Sequence, residues 1–294
     1  MPSPKVILIM GATATGKTDL ALEISSHFPV EIISVDSALI YRGMDIGTAK
    51  PGPEVLDSVP HHLIDIIDPV EPFSVWDFVQ QSRQLVMEIS ARGRIPLLVG
   101  GTMMYCHAFE HGLNRLPEAD AKIRQRLNQE AQQFGWQAMH ERLAEVDPVS
   151  ANRIRPSDTQ RIQRALEVFE LSGECLSELQ QNASIGFDGK IEKIILAAND
   201  RAGLHQRIEA RFQGMLEQGF VEEVASLKAR SDLNLSLPSM RCVGYRQIWQ
   251  YLEDELTRQQ MIDKSVAATR QLAKRQITWL RKHCLLYTSD AADD

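Results

Sequence analysis

The sequence predicts an α/β protein: a parallel-sheet core flanked by helices and interrupted by an all-helical insertion. Three observations predict it. Short apolar runs alternate with helical periods through the N-terminal third of the chain. A block with periodic leucines and no strand pattern fills residues 118–180. A β-rich run then returns at 191–197 before helices resume. Strand, helix, strand at this spacing implies parallel pairing with right-handed crossovers.

Taken in order, Val6-Ile7-Leu8-Ile9-Met10 reads as a buried strand, residues 19–27 as a helix and 30–35 as a second strand. Residues 76–92 carry a helical period through Phe78, Leu85, Val86 and Ile89, and 96–99 is a third buried strand. Breaks at Gly135, Asp147-Pro148, Pro156 and Gly173 divide the helical block. Ile194, Ile195 and Leu196 mark the returning strand, and a long basic helix is expected over 257–282. The expected division is a first core part at 1–113, an insertion at 114–189, a second core part at 190–283, and an atypical tail at 284–294. That tail (CLLYTSDAADD) does not continue the preceding helix and reads as a cloning or assembly scar, with a frayed terminus the alternative.

Composition bounds the function classes. With 32 Lys and Arg against 39 Asp and Glu the net charge is −7, and 44% hydrophobic with 24% charged residues describes an ordinary globular chain. A disordered tail protein and a polycation that coats nucleic acid are excluded; a local basic patch is not. Cys106, Cys175, Cys242 and Cys284 are widely spaced and form no C-x-x-C pair, which fits reduced thiols in a cytosol. Without a secretory pattern or an apolar stretch near the ~18 residues of a membrane span, the expected compartment is the cytoplasm, with no membrane partner.

Gly11-Ala12-Thr13-Ala14-Thr15-Gly16-Lys17-Thr18 matches G-x-x-x-x-G-K-[ST] at every fixed position, directly after a strand and before a helix. Gly11 and Gly16 let the backbone curl so that successive N–H groups face an anion, and the positive end of the following helix adds to that field. Lys17 bridges two phosphates in this reading, and the Thr18 hydroxyl ligates Mg²⁺. The core is therefore expected to be P-loop NTPase-like. The loop indicates a polyphosphate or diphosphate and leaves a nucleotide undecided.

Asp36 follows the strand at 30–35, which is expected to lie beside the loop strand. Two readings stay open for it: a helix cap with Ser37, or a general base aimed at an acceptor next to the diphosphate. Gly100-Gly101-Thr102 closes the third strand, with Thr102 able to cap the next helix and to offer its hydroxyl to the site. No strand other than the one before Asp36 ends in the carboxylate expected of an ATP-hydrolysing motor. His107-Ala108-Phe109-Glu110-His111 fits the H-x-x-E-H spacing of a zinc helix, but the phosphate loop already accounts for a site on this core, so no metal role is assigned to it. His61-His62 reads as a loop feature.

Three basic clusters stand out on this acidic chain. The C-terminal helix carries Lys264, Arg270, Lys274, Arg275, Arg281 and Lys282, with Arg270, Lys274 and Arg281 on one face. Arg241-Cys242-Val243-Gly244-Tyr245-Arg246 adds two arginines, a hinge glycine and an aromatic able to stack. Arg153, Arg155, Arg161 and Arg164 form the third, with Asp158 the only acid among them. A solvated face explains any one cluster; three together suggest a polyanion held at selected points. From physics alone, a small-molecule P-loop kinase and an RNA-binding NTP switch are the alternatives.

The segments GATATGKT, SVDSALIYRGMDIGTAKP, PLLVGGTMMY, DTQRIQRALEV, RCVGYR and ATRQLAKRQITWLR resemble, in order, the motifs of the bacterial tRNA dimethylallyltransferase family. The resemblance covers residues 5 to about 282 and breaks after Lys282, where the family continues with more core residues. It implies transfer of a dimethylallyl group from dimethylallyl diphosphate to N6 of the adenosine at tRNA position 37, beside the anticodon, by an enzyme expected to be a monomer. It implies that residues 11–18 cradle the diphosphate, with Arg211 a further ligand, that Lys17 and Thr18–Mg²⁺ neutralise the leaving group, and that Asp36 accepts the N6 proton. By the same resemblance, Thr102 and Arg124 are expected to line the channel near the reacting atoms. The resemblance implies that Asp36, Ser37, Ala38 and Leu39 contact tRNA, as do Gln160, Arg161, Ile162, Gln163 and Arg164, the run Arg241 to Arg246, and Lys274, Arg275, Gln276, Ile277, Thr278, Trp279, Leu280 and Arg281. It further implies that the insertion grips the anticodon stem-loop.

Overall fold

A computed structural model describes residues 4–181, 185–198 and 200–283. Its described residues fall into two compact units, one from Met1–Glu110 with Phe187–Asp294 and the other from His111–Gly186. The tail expected to be non-native lies outside the described residues.

The first unit is built on one parallel sheet. Strand β1 (Lys5–Gly11) runs into helix α1 (Lys17–His27), then β2 (Val30–Val35), α2 (Pro53–Ser58), β3 (His61–His62), α3 (Val75–Ala91), β4 (Ile95–Gly100) and α4 (Met103–His111). The expected strands at 6–10, 30–35 and 96–99 all form, because Val6, Leu8, Ile9, Ile33, Leu97 and Leu98 are fully buried. Ser74 and Asp77 start α3 with a reciprocal capping box: Asp77 N donates to Ser74 Oγ at 3.1 Å and Ser74 N to Asp77 Oδ2 at 2.8 Å.

Strand order is β3-β2-β4-β1, with β5 (Lys190–Leu196) completing the sheet at the other edge, all neighbours parallel. This corrects two expectations. The strand that ends at Asp36 is not beside the loop strand, because β4 pairs with both β1 and β2 and separates them. His61-His62 is not a loop feature but the edge strand β3, registered on Ile32 and Ile33. His62 Nε2 lies 2.7 Å from Glu31 Oε2, and Arg92 clasps the same carboxylate through two N–H groups.

The second unit is helical: α5 (Ala121–Val146), α6 (Pro148–Arg153), α7 (Thr159–Ser172) and α8 (Leu176–Leu179). Gly135 interrupts α5 at φ 82°, ψ 156°, and Gly173 ends α7 at φ 73°, so two of the predicted breaks are left-handed glycines. Leu127, Leu143, Ile162, Leu166 and Val168 form its core.

After β5 the chain returns to the first unit as α9 (Arg201–Glu217), α10 (Phe220–Lys228), a short 3₁₀ turn (Ser239–Arg241), α11 (Tyr245–Leu252) and α12 (Arg258–His283). These helices bury Phe212, Phe220, Tyr245, Ile248 and Met261 in one cluster that also takes in Ala12, Ile40 and Met44 from the N-terminal half. The phosphate loop and the C-terminal helices therefore share a core.

A Cβ on Gly100 would sit 2.0 Å from the Val35 carbonyl oxygen, whereas one on Gly214 in α9 meets nothing within 4 Å. Gly100→Ala is expected to lower stability by about 3 kcal/mol, and Gly214→Ala to raise it by about 0.5–1 kcal/mol. Urea unfolding of the two variants checks both signs.

Candidate active site

The carboxyl ends of β1, β4 and β2 open into a cavity of 1020 Å³ in the first unit. One wall is the phosphate loop. Gly16, at φ 85°, precedes α1, and Ala14 takes φ 61°, so the backbone reverses and presents N–H groups with the α1 amino end behind them. Thr15 Oγ1 and Lys17 Nζ both donate to Ala12 O, at 2.8 and 2.7 Å, folding the loop on itself. Gly11 and Ala12 are buried beneath this wall, while Thr13, Ala14, Thr15, Gly16, Lys17 and Thr18 line the cavity.

Asp36, Ser37, Ala38 and Leu39 line the cavity as well. Asp36 Oδ1 accepts from Ala38 N at 2.8 Å, an Asx turn that fixes the carboxylate and leaves Oδ2 for a ligand. Thr102 crosses from the end of β4: its N donates to Val35 O at 3.2 Å, and its Oγ1 accepts from Ser37 N at 3.1 Å. The Thr102 hydroxyl thus braces the Asp36 turn. Although β4 intervenes, its bare Gly100-Gly101 end lets β2 reach the site.

Burial is the largest influence on Lys17 and lowers its pKa from 10.5 to about 8, with nearby Asp36 raising it and Arg211 lowering it. Burial also lowers Arg211, and the charges of Asp36 and Asp19 raise it. Lys17, Arg211 and Asp36 therefore share one field on the cavity floor. Cys242 lines the same cavity and stays a neutral thiol, since burial and then the Asp36 charge push it to about 12.

The basic clusters divide. Arg241, Val243, Arg275, Gln276 and Trp279 line the cavity, and Lys274, Arg246 and Arg281 are exposed. Arg270 is paired with Glu209 at 3.0 Å instead of standing free on the face of Lys274 and Arg281. Tyr245 is not available to stack on a base: it is fully buried, its hydroxyl donates to Glu223 at 2.6 Å, and its ring meets Phe220 edge-on. Gly244 is a packed turn at φ 92° rather than a hinge, because Phe220 lies 2.7 Å from where its Cβ would be. Ile277 packs on the C-terminal core, Leu280 is buried, and Thr278 Oγ1 bonds back to Lys274 O at 2.9 Å.

In the second unit, the cluster at 153–164 has a second counter-charge beyond Asp158. Glu167, fully buried, accepts Arg124 Nε at 2.8 Å, Arg164 at 2.6 Å and the Asp120 N–H at 2.9 Å. Burial pushes the Glu167 carboxyl up, but these hydrogen bonds outweigh it and hold it below the usual range. Gln163 bonds to Asn128 at 2.8 Å, Ile162 is core, and Gln160 and Arg161 are exposed.

Two features of the cavity walls are not marked by any motif of the sequence. Arg207, one turn before Arg211 on α9, lines the cavity and donates from Nε to Ala14 O at 3.0 Å; its i, i+4 spacing to Arg211 was the available signal. Glu223 accepts from the N–H groups of Asp45, Ile46 and Gly47 at 2.9, 2.7 and 3.2 Å, fixing the loop whose Gly47, Thr48 and Ala49 form a further wall.

No metal cluster of three or more His, Cys, Asp or Glu side chains occurs among the described residues. In the H-x-x-E-H segment, Glu110 pairs with Lys193 at 2.5 Å and the His107 ring lies edge-on to Trp279. The donors facing the phosphate loop, the Thr18 hydroxyl and the Asp36 and Asp19 carboxylates, fit Mg²⁺, which takes few protein ligands and fills its shell from phosphate and water. No helix among the described residues is long and apolar enough to cross a membrane.

A phosphate loop at one wall of the cavity and the Asp36 carboxylate at the other, on a parallel sheet flanked by helices, place the chain in the phosphate-loop class of α/β proteins. The chain belongs to the IPP transferase family, whose model matches residues 39–283; a second model, described as isopentenyl transferase, matches residues 4–66. It is 56% identical over 280 residues to a tRNA dimethylallyltransferase of Alkalilimnicola ehrlichii, covering 95% of this chain and 88% of that one. Among solved structures it is similar to the tRNA isopentenylpyrophosphate transferase of Bacillus halodurans, at 37% identity and TM-score 0.67, covering 95% and 87% of the two chains. A eukaryotic dimethylallyltransferase acting on tRNA matches at 27% identity and TM-score 0.78, covering 95% and 70%.

Two outcomes follow from these charges. Lys17 loses its proton as pH rises through about 8, so affinity for dimethylallyl diphosphate is expected to fall about fivefold between pH 8 and 9, and to stay flat in Lys17→Arg. Calorimetric titration across that range measures it. Glu167→Ala removes the shared counter-charge of two partly exposed guanidinium groups and is expected to destabilise the helical unit by about 1–3 kcal/mol, seen as faster proteolysis of residues 111–186. Because its carboxyl is held below the ordinary range, the stability Glu167 contributes is present above that range and lost as pH falls through its lowered folded value.

Proposed function

We propose that this protein transfers a dimethylallyl group from dimethylallyl diphosphate to a tRNA, at N6 of the adenosine at position 37 beside the anticodon, working as a monomer in the cytoplasm. The observation that carries the chemistry is the single cavity that joins the phosphate loop to Asp36.

The physical requirements match the residues. Breaking the allyl C–O bond leaves its electron pair on the diphosphate, and that developing charge needs a preorganised cationic cradle. Lys17, Arg211 and the loop N–H groups supply it, with Arg207 behind the loop. Mg²⁺, held through Thr18, would add charge neutralisation at the same oxygens. As the allyl carbon bonds to N6, the amine proton passes to Asp36 Oδ2, which offsets the weak nucleophilicity of an exocyclic amine. Thr102 keeps Asp36 in place through Ser37. The adenine must leave its stack to reach such a cavity, and Arg241, Arg275 and Trp279 at the cavity, with exposed Lys274 and Arg281, suit the phosphates and base of the loop. Gln160 and Arg161 in the helical unit are exposed and suit further tRNA contact, and Arg124, with its guanidinium ordered by Glu167, is assigned on the family resemblance to the channel near the reacting atoms.

Incubation with Mg²⁺, dimethylallyl diphosphate and unmodified tRNA, followed by nucleoside mass analysis, tests the reading. A prenyl mass gain on the adenosine beside the anticodon is the expected result; phosphoryl transfer from ATP without prenylation would return the chain to the kinase alternative. Asp36→Asn should cut turnover by about 10²–10⁴-fold while both substrates still bind. Near-normal turnover in that variant would remove Asp36 from the base role.

A further inference from the structure

Gln276 lies inside the stretch of α12 that the family resemblance assigns to tRNA, yet its surroundings point inward. It is 8% exposed, and Ala273 and Leu280 on the same helix face are 2% exposed each, while Lys274 and Arg275 are exposed. Its carboxamide spans two loops of the sheet: Oε1 accepts from Thr13 N at 2.9 Å, and Nε2 donates to Gly101 O at 2.9 Å. One partner is an N–H and the other a carbonyl, so only this orientation of the amide satisfies both. Gly101 is bare to admit it, since a Cβ there would lie 2.6 Å from Gln276 Nε2.

We propose that Gln276 is a positioning residue for the phosphate loop and not a reader of tRNA. Thr13 stands directly before Ala14, which holds a left-handed φ of 61° without being glycine. Such a conformation persists only where its surroundings over-determine it. Gln276 fixes the residue before the reversal, Arg207 fixes the Ala14 carbonyl, and Thr15 and Lys17 tie the loop to Ala12 O. With its Thr13 anchor removed, the loop loses its hold on the conformation that aims its later N–H groups at the diphosphate, and the Thr13 N–H and Gly101 carbonyl are left without their partner. The inference rests on the prenyl-transfer reading for its kinetic form but on the geometry alone for diphosphate binding.

Gln276→Met keeps the volume and removes both hydrogen bonds, so packing and bonding are separated. The expected result is a rise of at least about tenfold in KM for dimethylallyl diphosphate, with KM for tRNA within about twofold of wild type. Gln276→Glu retains the acceptor for Thr13 but sets an oxygen against the Gly101 carbonyl, and should show the same split if the Met variant fails to fold. An unchanged KM for the prenyl diphosphate, or a rise confined to tRNA, would overturn the proposal. Should the wild-type protein show no prenyl transfer, the functional reading fails separately. Calorimetric binding of inorganic diphosphate to wild type and Gln276→Met then decides the positioning role, with weaker binding by the variant expected and equal binding contradicting it.

Discussion

At Gly100 one added carbon would lie 2.0 Å from the backbone oxygen of Val35, and at Gly11 it would lie 2.7 Å from Thr15 Oγ1 and 2.8 Å from the Leu196 carbonyl. The carboxyl ends of β1 and β4 therefore have to be bare. Everything in the site depends on that closeness. It lets the phosphate loop curl back over its own strand, and it lets Thr102 reach across to hold the turn that carries Asp36. It also admits Gln276 from a helix at the other end of the chain. Side chains at these positions would push apart the three strand ends whose approach creates the cavity.

The charge arrangement follows from the same geometry. The chain as a whole carries −7, yet the cavity gathers Lys17, Arg207, Arg211, Arg241 and Arg275 against Asp19 and Asp36. Burial makes the Lys17 and Arg211 cations costly without an anion beside them, and their pKa values are lowered accordingly. A bound diphosphate would reverse that cost, so the site is organised for an anion before one arrives. The Asp36 carboxylate belongs to the same field and keeps the cations charged. In the proposed reaction, acceptor activation and leaving-group stabilisation are thus electrically coupled.

Much of this was legible in the sequence because it is local. The phosphate loop, the strands that flank it and the glycine breaks of the helical unit each depend on residues a few positions apart. The order of the strands is different: nothing in the apolar run 30–35 says that β4 will intervene between it and β1. His61-His62 escaped because two residues paired to an edge carry no alternation. The Gln276 bonds to Thr13 and Gly101 join the two ends of the chain, and no motif encodes them. Glu167 was within reach, standing three residues after Arg164, but its place in an apolar helical stripe between Leu166 and Val168 concealed a buried counter-charge. The tyrosine of RCVGYR illustrates the opposite error, since an aromatic beside arginines serves here as core.

The proposed reaction requires the phosphate loop to hold the prenyl diphosphate within reach of Asp36. A crystal structure with Mg²⁺ and a thiolo analogue of dimethylallyl diphosphate tests it most directly. The expected density has the diphosphate against the loop N–H groups, Lys17 Nζ moved from Ala12 O onto a phosphate oxygen, and the allyl carbon facing Asp36. Density for the analogue elsewhere, with Lys17 still bonded to Ala12 O, would contradict it.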